Sequence, residues 1–136
     1  MSIAELGVFV FSEDPLPQAF RSLADAEAEM EAIDVENGEY KAVYTLDGRI
    51  VSAATADNRV VLKVTAERDE ADLDWRLREW AKRAPELNDL LGDRVATANQ
   101  LLLDDWEVRW PQHPKWLARR LHGEEPPQIG SGSHSP

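Results

Sequence analysis

ENGEYKAVYTLDGRIVSAATADNRVVLKVT, Glu36 to Thr65, is the stretch whose reading decides the fold. Three runs inside it, Tyr40 to Thr45, Arg49 to Thr55 and Arg59 to Thr65, are rich in Val, Ile, Thr and Tyr. Those residues suit a pleated, half-buried surface. Leu46-Asp47-Gly48-Arg49 carries the Asp-Gly signal of a tight hairpin, because Gly accepts the positive φ such a turn requires. Ala56-Asp57-Asn58-Arg59 is the second turn, with Asp and Asn as local hydrogen-bonding residues. Alternation puts Tyr40, Ala42 and Tyr44 on one face and Lys41, Val43 and Thr45 on the other. Val60, Leu62 and Val64 oppose Val61, Lys63 and Thr65 in the same way. An antiparallel meander with one core face and one partly wet face is the expectation. The small residues Ser52, Ala53 and Ala54 in the middle run call for a helix packed closely over them.

Upstream, Gly7 to Ser12 (GVFVFS) reads as an opening strand, and Pro15 and Pro17 break it by fixing φ and removing donors. Ser22 is an N-cap, and Asp25 three residues on completes an acidic capping box. The helix so begun is predicted to run to about Ile33, with Leu23, Ala26, Met30 and Ile33 as its buried stripe. Glu27 and Glu31 stand one turn apart on the exposed side, where like charges repel. Asn37-Gly38 then turns the chain into the meander.

Downstream the pattern becomes helical. Asp69 or Asp72 caps a helix running to about Ala84, with Leu73, Leu77, Trp80 and Ala84 as its stripe and Trp75 nearly opposite. Pro85 ends that helix or starts a short new one through Leu91, which Gly92 closes. Asp93 to about Trp110 is a further helix, with Val95, Ala98, Leu102 and Trp106 on one side. Pro111 stops it, and Lys115 to His122 is a last short helix ended by Gly123. From Glu124 the chain is polar and rich in Pro, Gly and Ser. The reading is therefore one α+β domain over residues 1–123 and a disordered polar tail over 124–136. The order is β-α-β-β-β-α-α-α: an antiparallel sheet of about four strands, one helix packed on it, and a helical C-terminal half.

The chain has 136 residues and no cysteine, which excludes disulfides, thiolate catalysis and cysteine-type zinc sites. It is long enough to bury a core without staples. The N-terminus lacks the basic-then-apolar pattern of a signal peptide, and no apolar run approaches a bilayer span, so a cytoplasmic location is expected. Arg outnumbers Lys and Ala is frequent, a composition typical of GC-rich bacteria. The net charge of −11 argues against nucleic-acid and anionic-membrane partners and suits a basic protein partner. The charge is clustered: from Ser12 to Tyr40 nine acids face a single base, Arg21.

No catalytic pattern emerges. His113, His122 and His134 lack a Ser or Asp partner in any readable motif. Asp104 and Asp105 are neighbours on a helix and point about 100° apart, so they do not converge. Gly38 and Gly48 are turn glycines rather than part of a phosphate-cradling loop. No catalytic group, metal site or cofactor is expected. The five tryptophans all follow residue 74. Trp80 and Trp106 fall on apolar stripes and belong to the core, whereas Trp75, Trp110 and Trp116 are less easily placed, and at least one of them is a candidate contact.

AIDVENGEYKAVYTLDGRIV, Ala32 to Val51, preceded by an acidic amphipathic helix, resembles small acidic actinobacterial proteins of immunity (toxin-inhibitor) type. The resemblance covers about a fifth of the chain and carries over no site residues. It implies a cytoplasmic inhibitor that binds a cognate toxin, and with the excess of acid this makes a non-enzymatic protein that binds a basic toxin the leading expectation. From the residues themselves, the partner-binding candidates are Glu27, Glu31, Asp34, Glu36 and Trp75. Two other classes stand beside it. One is a homo-oligomeric structural or regulatory module, possible as a homodimer, that uses the Trp-rich helices or a free sheet edge. The other is a small enzyme or ligand-binding protein with a pocket between sheet and helices.

Overall fold

A computed structural model describes residues 7–13, 17–109 and 129. The fold is α+β, built on a five-stranded antiparallel sheet. The strands are β1 (Val8–Ser12), β2 (Gln18–Phe20), β3 (Tyr40–Thr45), β4 (Arg49–Ala56) and β5 (Arg59–Arg68), in the order β2-β1-β3-β4-β5. The meander β3-β4-β5 is as the turn signals predict, with Gly48 at φ +86° and Asp57 and Asn58 both at positive φ. The opening strand pairs with β3 at the edge of that meander. β2 is the strand the sequence reading lacks. Three residues are too few to show a period, and β2 forms because β1 supplies a ladder for it.

Helices cover the sheet on both sides. Helices α1 (Leu23–Glu29) and α2 (Ala32–Glu36) close over Val8, Val10, Val43, Val51, Val60 and Leu62. Helices α3 (Glu70–Ala81) and α4 (Arg94–Arg109) close over Phe9, Phe11, Tyr44 and Leu46, with Leu73, Leu77, Trp80, Ala98, Leu101 and Leu102 in the same core. The expectation of one wet face therefore holds only over the β4-β5 hairpin. There the cross-strand pairs Ser52–Lys63, Ala54–Val61 and Ala56–Arg59 are exposed. Ala53, on the other face, packs against the core under α1 and α2.

Two local events depart from simple periodicity. The single helix predicted to reach Ile33 breaks at Met30, which is extended at ψ 147°, and resumes as α2. The break lets Ala32 and Val35 face the sheet and turns Ile33 outward, 60% exposed. In β3 the pairing with β1 shifts register between Phe11 and Ser12, so that Lys41 is an extra residue, a β-bulge. The bulge resets the alternation. Ala42 and Tyr44 belong to the α3-α4 side, but Tyr40 packs on the α1-α2 side.

The C-terminal helices are anchored by polar contacts. Asp69 caps α3 by accepting from the Asp72 N–H at 3.0 Å, and Ser22 caps α1 in the same way through Asp25. Ala84 lies beyond the end of α3, and Ala81 takes its place in the stripe. A 3-10 helix at Pro85–Leu90 leads into α4. Arg94 ties three elements together: it donates to Asp74 at 3.1 Å, to Glu70 at 2.9 Å and to the Leu46 carbonyl at 3.1 Å. Trp80 is buried as expected, and its indole N–H meets no acceptor among the described residues. The side chain of Trp106 and the short helix expected at Lys115–His122 lie outside the described residues. So does the segment read as a tail, apart from Ile129, which is buried.

Candidate partner-binding surface

Four of the acids counted between Ser12 and Tyr40, namely Glu13, Glu31, Asp34 and Glu39, converge because the backbone draws three segments together. The Glu13 N–H donates to the Glu39 carbonyl at 3.0 Å, and the Glu39 N–H donates to the Asp34 carbonyl at 3.0 Å. The end of β1, helix α2 and the entry to β3 are thus joined by main-chain hydrogen bonds. Gly38, at φ +71°, makes the corner. The Glu31 N–H donates to the Tyr40 hydroxyl at 3.2 Å, an orientation available only because the bulge turned Tyr40 to this side. One consequence is electrostatic. A side-chain hydrogen bond with Asp34, then the Asp34 charge, then burial and the charges of Glu13 and Glu31 hold the Glu39 carboxyl above its ordinary value. Crowded carboxylates disfavour ionisation of one of their number. Lys41 gives partial relief, pairing with Glu13 at 3.1 Å and donating to the Gly38 carbonyl. Both partners are largely exposed, so that pair contributes little.

Ile33 stands among these acids on α2, which also carries Asp34 and Glu36, with Glu31 as its N-cap residue. Burying an isoleucine fully is worth about 1.5–3 kcal/mol, so 60% exposure here leaves an apolar anchor uncovered. The helical spacing predicts Ile33 in the buried stripe, and the break at Met30 turns it outward instead. No sequence signal singles out Ile33, because the five-residue helix that seats Ala32 and Val35 inward exists only through the break at Met30.

The five candidates do not form one surface. Glu31 and Glu36 are exposed and Asp34 is partly so. Glu36 accepts from the Thr55 hydroxyl at 3.3 Å, which ties α2 to β4. Glu27 is turned inward instead. Its Oε2 accepts from the Leu62 N–H at 2.8 Å, an outward-facing amide on the edge strand β5. Trp75 is 51% exposed, on the helix layer across the sheet from α1 and α2.

A second polar cluster is structural in character. The Tyr44 hydroxyl donates to Asp72 Oδ2 at 2.6 Å, Arg76 Nε donates to the same oxygen at 2.8 Å, and the Arg76 Cζ lies 5.5 Å from the Phe11 ring centre. Burial, the hydrogen bond to Asp72 and the charges of Asp72 and Asp69 push the Tyr44 hydroxyl pKa far up. A phenol held neutral against a paired carboxylate locks α3 to β3. Among the described residues no group of three or more acids and histidines is arranged to hold a metal ion, and no helix is long and apolar enough to cross a membrane. Comparison of the chain with protein-family models, with curated proteins and with solved structures gives no match.

Proposed function

We propose that this chain is a non-enzymatic protein-binding module that uses the α2 surface to engage a basic protein, acting as a cytoplasmic immunity protein that occludes a cognate toxin. The observation that carries the reading is the exposed Ile33 set among carboxylates crowded enough to raise Glu39. A cationic partner would relieve the repulsion while its apolar centre covered Ile33. An apolar anchor inside a charged rim is the usual anatomy of a specific interface. The acids would steer encounter, so affinity should fall with salt.

The test is capture of partners from native lysate at low and high salt by the chain and by the triple variant Glu31→Lys, Asp34→Lys, Glu36→Lys. The expected result is one basic protein, lost at high salt and weakened by about tenfold or more in the variant. Co-expression should then suppress that protein's toxicity. Equal capture by the triple variant would remove the surface, and unrelieved toxicity would remove the inhibitor reading.

Exposed Trp75 favours a second reading, self-association through the α3 layer. Pairing through the β5 edge is disfavoured, because Glu27 already occupies the Leu62 amide. Light scattering over a dilution series separates the two readings: a stable dimer, dissociated by Trp75→Ala, supports self-association.

A further inference from the structure

Across the sheet from helix α2, one residue of the C-terminal segment is held in a site that composition gave no reason to expect. Ile129 is 2% exposed and belongs to the core between the sheet and helices α3 and α4. Asn99, in the middle of α4, takes both main-chain groups of this one residue. The Ile129 N–H donates to Asn99 Oδ1 at 2.5 Å, and Asn99 Nδ2 donates to the Ile129 carbonyl at 3.2 Å. A carboxamide carries one acceptor and one donor side by side, as a peptide group does. It therefore imitates the partner residue of an antiparallel ladder, which exchanges both bonds with a single residue opposite. The side chain is selected as well. A Cβ at Gly7 would lie 2.6 Å from Ile129 Cδ1 and 2.9 Å from the Phe20 carbonyl oxygen. Gly7 thus leaves the room that the isoleucine fills.

We propose that this crevice between β1, β2 and α4 is a main-chain-reading site for a peptide segment bearing a branched aliphatic side chain, and that Ile129 of the same chain is its resident occupant. Asn99 reads the backbone without regard to sequence, and the space over Gly7 reads the side chain. The site lies on the α4 side of the sheet and owes nothing to the acidic surface.

The experiment uses the full chain and the side-chain amide resonances of Asn99. In the unaltered chain the Ile129 amide proton should exchange slowly, and Asn99→Leu should remove about tenfold or more of that protection, the scale of one lost hydrogen bond. Ile129→Asp should empty the site and shift the Asn99 amide signals. A synthetic peptide with the sequence PPQIGSG (Pro126 to Gly132) should then restore them saturably, while the same peptide with Asp for Ile should not. If Ile129→Asp does not fold, Ile129→Ser takes its place, and the exchange measurement needs no substitution at Ile129. An unprotected Ile129 amide, Asn99 signals indifferent to the Ile129 substitution, or signals that the peptide fails to restore would overturn the proposal.

Discussion

Replacing Glu27 by Ala tests whether this acid belongs to the fold rather than to a partner. The substitution removes the acceptor 2.8 Å from the Leu62 N–H on edge strand β5. A hydrogen bond to a charged group is worth about 1.5–3 kcal/mol. Glu27 is only partly buried and water can reach an edge amide, so about 1 kcal/mol is the expected loss. With a urea slope of about 2 kcal/mol per molar, the unfolding midpoint should fall by about 0.5 M. Glu27→Gln keeps an acceptor and should lose less than half as much. Two further readouts are specific to the edge. Leu62 amide exchange should accelerate in Glu27→Ala, and the unmasked strand should make the variant more prone to concentration-dependent association. An unchanged midpoint together with unchanged exchange at Leu62 would refute the reasoning and return Glu27 to the candidate contact surface.

The remaining predictions concern backbone and charge. Gly48→Ala should destabilise more than Gly38→Ala: both glycines have positive φ, a strain of about 1–2 kcal/mol for other residues, but only at Gly48 would the new carbon meet a neighbour, Glu70, as a pair of thermal melts would reveal. Burial raises the Asp72 carboxyl, but hydrogen bonds from Tyr44 and Arg76 and the Arg76 charge outweigh it and hold it below the ordinary 3.8. Its stabilisation is then present above that value and lost as pH falls through the depressed one, so denaturant titrations from pH 5 to pH 2 should show a steeper loss in the parent than in Asp72→Asn. Glu39 has the opposite sign: its raised pKa favours the protonated folded state. Glu39→Gln should therefore be more stable than the parent near neutrality, with the advantage fading as pH falls through the raised value and gone below 4.5, and a constant difference across that range would contradict the crowding argument.

Much of the fold was legible because it rests on local chemistry. Ser22 and Asp69 cap helices through bonds made within three residues, and Asp47-Gly48 and Asp57-Asn58 turn the chain wherever their flanks are placed. The candidate surface was legible only in part. Excess acid between Ser12 and Tyr40 is a property of composition, but which carboxylates face outward is a property of packing. Glu27 and Glu31 look equivalent on a helical wheel. They part company because the helix breaks at Met30 and because β5 brings an unpaired amide beneath α1.

By itself, then, the sequence determined the antiparallel meander, the helical C-terminal half and the crowding of negative charge, each of which follows from neighbours a few residues apart. Only the tertiary structure decided that helices cover both faces of the sheet, that a bulge turns Tyr40 towards Glu31, that Ile33 is exposed and that Ile129 lies under Asn99. The physical reason is distance along the chain. Ile129 and Asn99 are separated by 30 residues, as Glu27 and Leu62 are by 35, and no local propensity encodes which polar group will meet which.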